Sequence, residues 1–184
     1  MKLSTRDLIL AGLFAALTAV SSYISIPIGP VPITLQSLMV ILSGIILGSK
    51  VGALSQITYV LLGLIGLPIF SGGSGGFDSI FHPTFGFLLS FILVAYIVGK
   101  ITEKHKSYSN LIIAVTVGSL LMYIIGVPYF YFIFTSYMGK SITFYGALKM
   151  ACIPFIPGDA VKAIISVALG KQLLRRLSRT STTI

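Results

Sequence analysis

The sequence predicts a single-domain, all-α membrane protein of six transmembrane helices with both termini in the cytoplasm. Three observations predict it. Charged residues make up only 9 % of the 184 positions, against about 25 % in soluble domains, and the mean hydropathy is +1.01. The apolar residues fall into uncharged stretches long enough to cross a bilayer. The Lys and Arg residues gather between those stretches and at the ends. A soluble domain of this size exposes a large share of its surface and needs charge to cover it. Thirteen bases and four acids, mostly clustered, cannot do that. A soluble enzyme is excluded.

Crossing about 30 Å of hydrocarbon takes about 20 residues in a helix, and ~17 is the lower limit. The first such stretch is 8–26, followed by the turn Pro27-Ile28-Gly29-Pro30. The next two are 32–48 and 51–67, parted only by Ser49 and Lys50. After a Gly-rich loop come 83–99, then 111–134, the longest run, and 157–171, with a basic tail beyond it. All are expected to be helical, because an open sheet edge cannot sit in lipid. One side then holds Lys2, Arg6, Lys50, Lys100, Lys104, Lys106, Lys171, Arg175, Arg176 and Arg179, and the other only Lys140 and Lys149. This asymmetry puts the first side, and both termini, in the cytoplasm. The same clusters act as orientation anchors and lipid-headgroup contacts, so the net charge of +9 implies no nucleic acid. Lys2 and Arg6 before an apolar run imitate a signal peptide. The run is long for one, and its removal would leave an odd number of spans.

Several chemistries lack their residues. The single cysteine, Cys152, forms no intrachain disulfide and has no zinc or redox spacing around it. His82 and His105 are far apart in sequence, so no metal site is expected. No phosphate-binding loop of the GxxxxGK[ST] type occurs, so the chain itself uses no ATP, and no cofactor is expected. No nucleophile–base pair marks an enzyme.

Three segments carry what chemistry there is. The first is the loop Ser71-Gly-Gly-Ser-Gly-Gly-Phe77-Asp78. Its glycines permit positive φ and close approach to a ligand. Phe70, Phe77, Ile80 and Phe81 flank them, where a solvated linker would be polar, so a folded lid over an external pocket is expected. The second is the turn from Ile28 to Gln36, in which Pro30 and Pro32 stiffen the entry to a helix. Thr34 there fits a cap hydroxyl, whereas the Gln36 amide in an apolar helix needs a partner. The third is Phe155-Ile-Pro-Gly-Asp159-Ala-Val-Lys162. An acid and a base three apart share one helix face. Asp159 alone reads equally well as a helix cap. Lys162 does not, since a cation in a first turn opposes the helix dipole and needs a counter-ion or an anionic ligand. Ionisable residues at membrane depth mark functional sites.

Two further patterns stay open on spacing alone. Ala11, Ala15 and Ala19 form a stripe that lets another helix approach closely, inside the bundle or from a partner subunit. The aromatic run Tyr129-Phe-Tyr-Phe132 suits either an outer aromatic belt or a pocket wall.

Four segments, in order, resemble the BioY family, the biotin-binding substrate (S) components of prokaryotic energy-coupling factor transporters. They are Gly29-Pro-Val-Pro-Ile-Thr-Leu-Gln36, Leu62-Gly-Leu-Ile-Gly-Leu-Pro68 running into Gly72–Gly76, Pro83-Thr84, and Phe155-Ile-Pro-Gly-Asp-Ala-Val-Lys162. The resemblance extends from about Ala11 to Leu173. It implies a six-helix membrane component that captures biotin outside and works with a transmembrane coupling protein and two ABC-type ATPases. It also implies that Ala11, Ala15 and Ala19 face the coupling protein. The substrate-binding set carried over is Asp159, Lys162, Gln36, Thr34, Gly73, Ser74, Gly75, Phe77, Thr84 and Gly86. In this reading Asp159 accepts the ureido N–H groups, while Lys162 donates to the ureido carbonyl or holds the aspartate. A substrate component for another small vitamin is the alternative, with an intramembrane enzyme more remote. Where the family commonly reads Pro-Thr-Gly-Gly-Tyr, this chain has Pro83-Thr84-Phe85-Gly86-Phe87. Leu88 follows where some relatives place an arginine.

Overall fold

A computed structural model describes residues 3–180 and is all-helical apart from one two-residue hairpin. Lys2 lies outside the described residues, as does the side chain of Arg179. The elements are α1 (Thr5–Tyr23), β1 (Ser25–Ile26), β2 (Ile33–Thr34), α2 (Gln36–Leu64), α3 (Phe85–Lys104), α4 (Tyr108–Phe132), α5 (Phe144–Ala151) and α6 (Ile156–Thr180). Five helical segments are long and apolar enough to cross a membrane: Thr5–Tyr23, Gln36–Leu64, Phe85–Lys104, Tyr108–Tyr137 and Phe144–Arg176.

Local chemistry sets the ends. Ser4 and Asp7 form a reciprocal capping box at the start of α1, with Asp7 N–H donating to Ser4 Oγ at 3.2 Å and Ser4 N–H to Asp7 Oδ2 at 2.9 Å. The Ser107 and Thr143 hydroxyls cap α4 and α5. The sequence reading left 135–156 as an external loop, yet α5 stands there. It is one amphipathic turn-pair whose Ala147 and Ala151 pack under Phe130 and Phe134, too short to register as a membrane stretch.

The element α2 is continuous by hydrogen bonding but not straight. Gln56 Nε2 lies 3.3 Å from Ser43 Oγ, and Gln36 Nε2 lies 2.6 Å from the Tyr59 hydroxyl. Residues 23 apart in one straight helix would be separated by ~34 Å. The chain therefore doubles back at Gly48, whose φ of 79° and ψ of 180° are non-helical, giving two antiparallel arms, 36–47 and 49–64. Only glycine adopts that φ without strain. Glu103, near the end of α3, closes the turn by accepting from Ser49 N–H at 2.7 Å and Ser49 O–H at 2.8 Å. The first arm also packs tightly on α3: a Cβ at Gly44 would sit 2.6 Å from the Ala95 carbonyl.

The main core lies between this hairpin, α3 and α4, around Val40, Ile41, Val94, Val98, Leu111 and Val115. The helix α6 lies along its edge, with Ile164 71 % exposed and Ser166 and Lys162 turned inward at 0 % and 8 %. The alanine stripe of α1 also turns inward, which corrects its assignment to a partner face. Ala11 and Ala15 are 2 % and 3 % exposed, and Ala15 and Ala19 pack on the core. Its outer side carries Leu8, Ile9, Leu13 and Val20, with Gly12 and Ala16 among them.

Candidate functional site

Two connections converge at the end of the bundle opposite the Gly48 turn. The β1–β2 pairing, Ser25 with Thr34 and Ile26 with Ile33, folds the 27–32 turn back and holds Thr34 against α6. The segment 65–84 folds into two 3₁₀ turns, Ser71–Gly73 and Phe77–Phe81, the first closed by a bridge between Phe70 and Ser74. Gly72, Gly73 and Gly76 take φ values of 76°, 70° and 96° there. Phe70, 3 % exposed, plugs a notch at Gly63 that a Cβ would fill. The loop is thus a folded structure anchored by a buried aromatic ring.

Beneath it lies a cavity with apolar walls from Phe70, Phe87, Leu88, Phe91, Met122 and Phe155. Asp159, Lys162, Thr34, Gln36, Ser74 and Thr84 all line it, so six of the ten residues singled out from the sequence meet in one place. The other four do not line it. Phe77 is 68 % exposed. Gly75 lies against the Leu67 carbonyl and Gly86 against Tyr129, leaving no room for a Cβ at either. Gly73 faces Tyr23 across 4.0 Å.

The polar groups form two linked sets. Lys162 and Asp159 make a half-buried ion pair on one face of α6. The Lys162 ammonium also donates to Ser37 Oγ at 2.8 Å and to the Thr34 carbonyl at 3.2 Å. Asp159 accepts from the Tyr123 hydroxyl through its other oxygen. The second set begins at the Thr34 hydroxyl, which donates to Gln36 Oε1 at 2.9 Å. The Gln36 amide then donates to Tyr59, and Tyr59 donates to the Ile69 carbonyl at 3.0 Å. Gln36, 3 % exposed, thus has the partner that its amide requires.

This arrangement can bind a neutral, planar, donor-and-acceptor group. A lysine ammonium has three N–H donors, and Asp159, Ser37 and Thr34 take all three. Asp159 retains lone pairs for incoming N–H groups. Ser37 accepts from Lys162, so its own proton is free for a carbonyl. Among the described residues no group of three metal-ligating side chains occurs.

Sequence reasoning missed Ser37, Tyr123, Tyr59 and Ser71 and set His82 aside. Ser37 adjoins Gln36, and Ser71 opens the glycine loop that the sequence singles out. Tyr123 and Tyr59 carried a weaker signal: a buried phenol seeks a partner, but the chain does not say which.

Comparison with known proteins gives a consistent result. The pattern of the BioY family matches residues 1–179. The chain is 38 % identical over 168 residues to "Biotin transporter BioY" of Thermotoga maritima, covering 91 % of this chain and 95 % of that protein. It is 39 % identical over 177 residues to "Biotin transporter BioY2" of Lactococcus lactis, covering 95 % and 93 %. Among solved structures it resembles the 2.1 Å crystal structure of the S-component for biotin from an ECF-type ABC transporter. That match has a TM-score of 0.82 and 28 % identity over 95 % of each chain.

Proposed function

The chain belongs to the BioY family, and from that premise we propose that it captures biotin in the Asp159–Lys162 cavity and carries it across the membrane. It is a biotin transporter, the substrate-binding component of an ECF-type system. The observation that carries the site is the state of the ion pair. Biotin's ureido ring offers two N–H donors and one carbonyl. Asp159 holds open lone pairs beside Ser37, which has a proton to give. The ring therefore binds by its N–H groups to the carboxylate and by its carbonyl to Ser37. Lys162 holds the carboxylate in place.

In this reading the two arms of α2, each extended by its flanking residues, count as one crossing apiece, which makes six. The Gly48 turn, Lys50, Lys100 and both termini then belong to the cytoplasmic side, the side that the distribution of bases favours. The lid then faces outside. The membrane is a prokaryotic cell membrane, since the relatives come from bacteria and an archaeon. Energy comes from a coupling protein and two ABC-type ATPases rather than from this chain, and the chain is not an enzyme. The coupling protein docks on the outward side of α1, where Gly12 and Ala16 are exposed and no atom lies within 4 Å of a Cβ built on Gly12. Close approach of a partner helix is possible there.

The test is radiolabelled biotin binding to the detergent-purified chain, parent beside Asp159→Asn. Tight binding by the parent, lost in the variant and unmoved by excess thiamine or riboflavin, is the expected result. Binding that survives the substitution moves the site. No binding by a well-folded parent overturns the reading.

A further inference from the structure

The cavity's polar lining comes from two parts of the chain. One wall comes from the helices and holds Asp159, Lys162, Ser37 and Tyr123. The other comes from the connection between α2 and α3 and holds Ser71, Ser74, Ser79, His82 and Thr84. The polar lining groups of that second wall are neutral hydroxyls and an imidazole. Apart from Thr34 and Gln36, the rest of the lining is apolar, Leu88 and Phe91 among it. A ligand with two polar groups on an apolar body matches this lining, and a vitamin with a ureido head, an aliphatic tail and a terminal carboxylate is such a ligand.

Two side chains of that wall have a donor to spare. Ser71 Oγ is buried and bonds to nothing among the described residues, although a buried hydroxyl ordinarily has a partner. The Ser74 hydroxyl, three residues on, is already engaged, since it donates to the Ser71 carbonyl at 3.1 Å. His82 Nδ1 faces the Thr84 hydroxyl at 2.7 Å and the Thr84 N–H at 3.5 Å. A backbone N–H can only donate, so Nδ1 is the acceptor and the proton of the neutral ring sits on Nε2. Lys162 is the cavity's lining cation, and its three N–H groups already point at Asp159, Ser37 and Thr34.

We propose that the carboxylate end of the ligand is received by neutral donors on the loop wall, Ser71 Oγ–H foremost and His82 Nε2–H beside it, and not by a cation. This rests on the biotin reading. It assigns charge recognition to the ureido end alone and gives the folded loop a direct part in binding. The nearest rival is Lys140, which lines an adjoining groove that shares His82 with this cavity and stands over the Phe134 ring at 5.0 Å.

The experiment is equilibrium binding of biotin, and of the analogue with a methyl group in place of the carboxylate, to the purified full chain. The proteins are the parent, Ser71→Ala, Ser71→Thr and Lys140→Ala. A hydrogen bond to a charged group supports a loss of about tenfold or more for biotin in Ser71→Ala. The analogue should change less than about twofold in the same variant, and Ser71→Thr should restore biotin binding. Loss of biotin affinity in Lys140→Ala with Ser71→Ala unchanged overturns the proposal in favour of a cation. Equal losses for both ligands in Ser71→Ala also overturn it, because the hydroxyl would then only hold the loop. A parent that binds neither ligand overturns the biotin reading itself and this inference with it.

Discussion

The Tyr59 hydroxyl accepts a hydrogen bond from the Gln36 amide at 2.6 Å and donates one to the Ile69 carbonyl at 3.0 Å. Tyr59 is fully buried, and its ring meets Phe70 edge to face at 5.6 Å. One side chain thus joins both arms of the α2 hairpin to the root of the loop that covers the cavity. Tyr59→Phe keeps the ring and removes both bonds, leaving an amide proton and a carbonyl unpaired where water does not reach. The expected destabilisation is about 1–3 kcal/mol. Because the loop root is what loosens, proteolytic cleavage within 69–76 should quicken and bound biotin should dissociate faster. Unchanged cleavage and dissociation would show that the relay does not hold the loop.

The Gly48 turn makes a second prediction. Gly48→Ala forces a side chain into a φ of 79°, against the Glu103 carboxylate, and should lower stability by at least ~1 kcal/mol. Glu103→Ala removes the acceptor for two Ser49 donors and should cost about 1–3 kcal/mol. Both act through the same turn, so the double variant should cost less than the sum of the two. Thermal unfolding in detergent reads all three.

The hydropathy pattern made the membrane helices legible because lipid imposes one rule on every residue of a span. It did not reveal the pairing of the two α2 arms, which depends on Gln36 meeting Tyr59 and on the Glu103 contact. The site was legible where chemistry is conspicuous. Asp159 and Lys162 are ionisable groups in an apolar setting, and Gln36 is an amide that must bond. It was not legible for Ser37, Ser71 and Tyr123, whose roles arise from distant segments meeting. The alanine stripe shows the limit of spacing. Small residues mark a close helix contact, but only the fold showed that Ala11 and Ala15 turn toward the chain's own core.

The cavity-side placement of His82 supports a pH prediction. Partial burial of the imidazole pulls its pKa below the ordinary 6.5, so the ring is neutral at pH 7. The folded chain then binds this proton less readily than the unfolded chain. Stability should be level above about pH 6.5 and fall as the pH drops below it. His82→Gln, which cannot titrate, should flatten that part of the profile. A parallel decline in parent and variant between pH 6.5 and 5, followed by thermal unfolding, would assign it to other groups.

The Asp159–Lys162 pair allows stability and binding to be separated. Lys162→Met leaves Asp159 half-buried without its counter-ion, with only the Tyr123 hydroxyl opposite. Breaking a buried pair on one side costs about 3–5 kcal/mol, an upper bound here because the pair is only partly buried. Asp159→Asn in the same chain removes the stranded charge, so the double variant should recover much of that loss. It should not recover biotin. The asparagine amide presents an N–H₂ and a single carbonyl where the carboxylate offered two acceptor oxygens to the ureido N–H groups. The measurement is a double-mutant cycle on the thermal midpoint, run beside biotin binding for each of the four proteins. Stability regained without binding would mean that the pair is kept for its ligand. Stability and binding regained together would make Asp159 and Lys162 a structural pair and place the ureido ring elsewhere.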